Sequence, residues 1–111
     1  MALVFDKSGA LERVGDDVIL LKDLVKLCRE QCDSRLMVLM HDVRHKDLLA
    51  VKRHAHLLKG SLGNVGAAAA HAAAEDLERF AVDGRVEEID SRAHALLDAI
   101  NQFFEVVERE L

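Results

Sequence analysis

The chain has no proline, tryptophan or tyrosine, and its aromatics amount to four phenylalanines. That profile disfavours sheets, which draw on aromatic and β-branched residues, and favours helices. Cysteine is scarce. Cys28 and Cys32 stand four apart on an expected helix, a spacing that matches neither a zinc knuckle nor a redox Cys-x-x-Cys. They read as small core-filling residues in a reduced compartment. Basic charge is not in excess: the net charge is −5, which argues against nucleic acid as the main partner. No stretch is long and apolar enough for a membrane span, and the N-terminus lacks a signal-peptide pattern. A cytoplasmic protein is therefore expected. There is no Gly-rich loop ending in Lys-Ser/Thr, nor any other nucleotide-binding signature.

What is present is a chain of 111 residues, half of them apolar and about a third charged. Residues 1–111 are enough for one domain with one hydrophobic core. The pattern reads as a short leading helix followed by four longer ones. Asp6 can cap the first, with Phe5 before it as a staple and Gly15 near its end. Asp16 or Asp17 caps a long second helix to about His41. Its stripe is Leu21, Val25, Cys28, Cys32, Leu36 and Leu39, widened by Val18, Leu20, Leu24 and Leu27 as for packing on more than one neighbour. Asp42 to Lys46 forms the turn and Asp47 caps the third helix. The fourth opens in the Ala67–Ala74 run and continues to about Val82. Asp83-Gly84 is a turn, and Val86 to Glu110 forms the last helix, with Ile89, Ala93, Leu96, Ile100, Phe103 and Val107 on its apolar stripe. Short connections imply antiparallel neighbours. The expected fold is all-α: an antiparallel up-down four-helix bundle with a short extra N-terminal helix.

The third helix holds the most informative residues. Leu48, Val51, Ala55, Leu58 and Leu62 follow three-four spacing, so they share a buried face. Lys52, Arg53, His56, Lys59, Gly60 and Gly63 are then turned outward. Gly60 and Gly63 weaken a helix interior by roughly 1 kcal/mol each relative to alanine. Clearance for a partner would favour them nonetheless. Charge is uneven too: Arg44, Lys46, Lys52, Arg53 and Lys59 face only Asp47 within that stretch, so the acid excess lies elsewhere. A basic helix around a histidine on an acidic protein suits docking of an acidic partner, although an ordinary solvated face would look the same on charge alone.

The run Ala55-His56-Leu57-Leu58-Lys59-Gly60-Ser61, followed by Gly63 and Gly66, resembles the Ala-His-x-Leu-Lys-Gly-Ser pattern of histidine-containing phosphotransfer (HPt) domains. The resemblance extends from about Leu3 to Glu110, and Glu75-Asp76-Leu77-Glu78 looks like part of that family's second bundle helix. It implies that His56 accepts a phosphoryl group from a receiver-domain aspartate and passes it to another. Lys59 would neutralise phosphoryl oxygens, and Gly60 and Gly63 would admit the receiver's active-site loops. Lys52 and Arg53 would belong to the docking surface. The implied partners are response-regulator receiver domains and hybrid sensor histidine kinases. Mg²⁺ is expected on the receiver only, with no cofactor on this chain. Such a protein is a stoichiometric carrier and not an enzyme. Histidine suits the role because a neutral ring nitrogen offers a lone pair near neutral pH. Leu57 is more apolar than the polar residue often found after the histidine, and fits either a bundle seam or the partner's surface.

Two other classes remain open on sequence. One is a binding-only helical module that docks a receiver or kinase without taking phosphate. The other is a metal-binding bundle: His41 and His45 have four-residue spacing, but they straddle an expected helix end and have no clear third ligand. His54 points to a different side from His56, and His71 and His94 sit on separate helices. The acidic residues Glu75, Asp76, Glu78, Asp83, Glu87, Glu88 and Asp90 read as a solvated surface. An initiating Met and a full set of helices suggest a free-standing protein. A monomer is expected, although Leu20, Leu24 and Leu27 could form an intermolecular face.

Overall fold

The structure, a computed structural model, describes residues 2–111. Five helices and no strands make up the described residues: α1 (Lys7–Arg13), α2 (Val18–Arg44), α3 (Leu48–Asn64), α4 (Ala68–Val82) and α5 (Val86–Glu110). Aspartates start the first three. Asp6 accepts from the Gly9 amide at 3.1 Å, Asp17 from Leu20 at 3.0 Å and Asp47 from Ala50 at 3.2 Å, each satisfying an amide that the helix leaves unpaired. Neither α4 nor α5 has a side-chain cap.

The long helices form a bundle in which α2 packs on α3 and α5, α3 on α4, and α4 on α5. Its centre contains Leu21, Leu39, Leu58, Leu62, Leu77, Leu96, Ile100 and Phe103, all fully buried. The most extensive pairing is α3 with α4. The alanine run explains it, since Ala70 and Ala74 are fully buried and their short side chains let the helix axes approach. Cys28 and Cys32 are free thiols within the core, their sulfurs 3.9 Å apart.

Helix α1 is bound to the rest at the α3–α4 turn. The Asp6 amide donates to the Gly66 carbonyl at 2.8 Å, and the Ala69 amide donates to the Leu3 carbonyl at 2.7 Å. Phe5 packs edge-on against Phe103, their ring centres 5.7 Å apart. Gly66 permits this closure: its φ is +77°, and a Cβ there would stand 2.7 Å from the Asp6 carbonyl oxygen and 2.9 Å from the Ala10 Cβ.

Three details differ from the sequence reading. Helix α2 runs to Arg44, past His41, because Val43 is buried and keeps the last turn on the core; the reversal is His45–Asp47, with Lys46 at φ +55°. Val18, Leu20 and Leu27 do not widen the buried stripe of α2 but stay exposed, while Leu24 is half-buried. Phe104 joins Phe103 in the core, so the apolar face of α5 is broader than its three-four pattern suggested.

Replacing Gly66 by alanine should cost about 1–3 kcal/mol, since a side chain must be strained into a left-handed backbone and also displace α1. Urea unfolding checks this. An unchanged midpoint would contradict the role given to the turn.

Candidate functional site

Burial of Val51, Ala55, Leu58 and Leu62, all at zero exposure, fixes the rotation of α3. That rotation turns His56 outward, and its side chain is 64 % exposed. Helix α4, packed on α3, then supplies a residue absent from the sequence-based site. Glu78 reaches across with one carboxylate oxygen 2.7 Å from His56 Nδ1 and the other 2.7 Å from Lys59 Nζ. Its side chain is only 16 % exposed, so it is not part of a solvated acidic surface. The hairpin register puts it there: His56 and Glu78 are equidistant from Ala67 along the chain, as are Gly63 and His71.

The electrostatics assign the ring's protons. The Lys59 hydrogen bond is the main reason that the Glu78 carboxyl titrates below the usual carboxylate range; burial opposes the shift and His56 adds to it. At neutral pH Glu78 is therefore a carboxylate, which can only accept. A neutral imidazole has one N–H, so His56 Nδ1–H donates to Glu78. Nε2 keeps its lone pair and has no hydrogen-bond partner among the described residues, on a side chain that is largely exposed. The neutral ring thus has one nitrogen with a free lone pair, and a lysine ammonium lies one helical turn away.

Around it, Lys52, Arg53, His56, Leu57 and Glu78 line an open groove of about 470 Å³. Leu57 is exposed there and is not buried at a helix seam. Neither Lys52 nor Arg53 has an ion-pair partner among the described residues. The two glycines differ. A Cβ on Gly60 would meet nothing within 4 Å, so this position leaves open surface beside His56. A Cβ on Gly63 would come within 3.0 Å of His71 Nδ1, which gives that glycine a reason internal to the fold. His71 Nδ1–H donates to the Lys59 carbonyl at 2.9 Å, and Arg13 donates to the Gly63 carbonyl at 2.6 Å. The backbone beyond Lys59 is thus held by α1 and α4.

The remaining histidines lie apart from this site. The His41 and His45 rings stack 4.2 Å apart at the end of α2, and His54 Nε2 is 3.4 Å from an Asp42 carboxylate oxygen. His94 bonds back to the Asp90 carbonyl on its own helix. Among the described residues, no group of three or more His, Cys, Asp or Glu could hold a metal ion. No described helix is long and apolar enough to cross a membrane.

A helical bundle bearing an outward histidine, a neighbouring lysine and a bare glycine defines a class, and the comparison with family models identifies it. The model described as the Hpt domain matches residues 23–106, which include His56, Lys59 and Glu78. The chain belongs to the Hpt domain family, whose members are histidine phosphocarriers of phosphorelays. No curated protein and no solved structure matched the chain.

The pH response of Glu78 follows in sign. Its carboxyl binds protons less readily folded than unfolded, so its contribution to stability is fully present above its ordinary value of about 4.5 and is lost as the pH falls through the lower folded value. Carboxyl ¹³C titration should find the Glu78 midpoint below 4.5. Lys59→Met should raise it. A midpoint unmoved by that substitution would show that Lys59 is not the cause.

Proposed function

We propose that this chain accepts a phosphoryl group on His56 Nε2 from a receiver-domain aspartate and passes it to another receiver aspartate. The observation that carries the reading is the ring's fixed presentation: Nδ1 is tied to Glu78 while Nε2 stands free on a face cleared by Gly60. Phosphoryl transfer demands little beyond positioning the nucleophile and neutralising charge on the transferred oxygens. Lys59 supplies that neutralisation by exchanging a Glu78 oxygen for phosphoryl oxygens. The receiver's own carboxylates hold the Mg²⁺, and no cofactor resides on this chain.

Docking uses the groove. The uncompensated cations Lys52 and Arg53 meet an acidic rim on the receiver, Leu57 meets an apolar patch, and Gly60 lets its loops approach, a part that Gly63, turned toward His71, does not share. The scaffold on this reading is an antiparallel up-down four-helix bundle, α2 to α5, with α1 as an accessory helix. The protein is a cytoplasmic monomer that cycles stoichiometrically and turns over no free substrate. A receiver- or kinase-docking module that takes no phosphate is the competing reading; a nucleophile with its tautomer held in place favours the carrier.

Incubation with a phosphorylated receiver and Mg²⁺, followed by ³¹P NMR and peptide mapping, tests the assignment. An acid-labile, alkali-stable phosphoramidate on His56 is expected, and His56→Gln should abolish it while circular dichroism stays unchanged. Equal labelling of His56→Gln would refute the site. No label on a folded wild-type bundle with several receivers would favour the docking module. The glycines provide a separate check: Gly60→Ala should stabilise the fold by about 0.5–1 kcal/mol, having open space and better helix propensity. Gly63→Ala should destabilise it by crowding His71. The same sign at both positions would contradict the distinction.

A further inference from the structure

We infer that Cys28 is a modification site for peroxides, reached through a groove between α2 and α3, with Cys32 as the thiol that resolves the oxidised sulfur. This groove shares no residue with the one around His56, so the chemistry is separate from phosphoryl transfer.

Both cysteines lie on one face of α2, four residues apart, with their sulfurs at 3.9 Å. They are not equivalent. Leu24, Leu27, Cys28, Gln31, Ser61 and Val65 border a groove of about 300 Å³, whereas Cys32 is fully buried and forms no part of its wall. No carboxylate lines this groove to repel a thiolate, and Gln31 and Ser61, 3.4 Å apart, offer polar contacts to a peroxide.

The protons are ordered as well. The Cys28 thiol donates to the Ser61 carbonyl at 3.8 Å, which leaves Cys32 as the donor between the two sulfurs. That hydrogen bond favours negative charge on Cys28 and holds its thiol below the ordinary cysteine range, against the effect of burial. The same bond, with burial added, pushes the Cys32 thiol up. Cys28 is therefore the sulfur that ionises first and the one that borders the groove. Thiolate, not thiol, is the nucleophile.

In the first step the Cys28 thiolate attacks one peroxide oxygen. The S–O bond forms, the O–O bond breaks, and the departing hydroxide takes up the thiol proton as water. The product is a Cys28 sulfenic acid. Cys32 then attacks the Cys28 sulfur: the S–S bond forms, the S–O bond breaks, and hydroxide leaves with the Cys32 proton as a second water. Two thiols have lost two electrons, and the peroxide has gained them. Cβ atoms four residues apart on a helix stand about 5–6 Å from each other, against about 3.5–4.5 Å in a disulfide. Closure thus tightens one turn of α2 and draws Cys28 away from the Ser61 carbonyl. A bond strained in this way is readily reduced, as a reversible modification requires.

A brief pulse of iodoacetamide on the folded wild type, followed by peptide mapping, should place the label on Cys28. Hydrogen peroxide should give a monomer lighter by two hydrogens, restored by dithiothreitol. Cys32→Ser should stop at a Cys28 sulfenic acid that dimedone traps. Cys28→Ser should react at least about tenfold more slowly, since each unit of lost acidity lowers the thiolate fraction tenfold. Circular dichroism checks that both variants fold. Label or sulfenic acid appearing first on Cys32 would overturn the inference. So would thiols that react with peroxide only in urea, or oxidation that yields no intramolecular disulfide. All three results would leave the assignment of His56 untouched.

Discussion

The register of the α3–α4 hairpin is the constraint on which the site depends. It is set by a left-handed glycine, Gly66, against which α1 closes, and by an alanine-lined contact that lets the two helices approach. Once that register is fixed, His56 faces Glu78 and Gly63 faces His71. A slip by one residue would carry Glu78 about 100° around α4 and away from both cations. The site is thus a consequence of how the turn closes, and the accessory helix α1 contributes to it although it bears none of the reacting groups.

Electrostatically the site is a carboxylate placed between two groups that need it for different reasons. Lys59 gains a partner for an ammonium that is only a quarter exposed, and His56 gains a fixed tautomer. The arrangement is partly desolvated, so each hydrogen bond counts for more than it would on an open surface, yet the Nε2 side remains in water. It is also poised for exchange. On the proposed reading a phosphoryl group would bring negative oxygens to replace Glu78 at Lys59, while the Nδ1 contact persists. Elsewhere in the acidic stretch the pairs are local and exposed: Asp76 pairs with Arg79 on α4, and Glu88 with Arg85, the residue before α5.

Much of this was legible in the sequence because it is local. The aspartates at 6 and 47 cap as expected, Asp17 is the cap of the two candidates 16 and 17, and the three-four spacing of Val51, Ala55, Leu58 and Leu62 was enough to turn His56 outward. The stripe of α5 from Ile89 to Val107 is buried as read. What escaped was set between helices. Glu78 looked like one member of an acidic run, and only its distance from Ala67, matched to that of His56, could have singled it out. Gly63 shared the pattern of Gly60 on α3 and was separated from it by what α4 places opposite. Leu20 and Leu27 fit a wider stripe by spacing, but the fold leaves both exposed.

The central claim is that the fold presents Nε2 of His56 as a free nucleophile by holding Nδ1–H on Glu78. A long-range ¹H–¹⁵N correlation spectrum of the histidine rings in the unphosphorylated protein near pH 8 tests it most directly, with His56→Gln assigning the signal. The account requires a protonated, pyrrole-like Nδ1 and an unprotonated, pyridine-like Nε2 for His56. The opposite tautomer, or a ring averaging between the two, would contradict it.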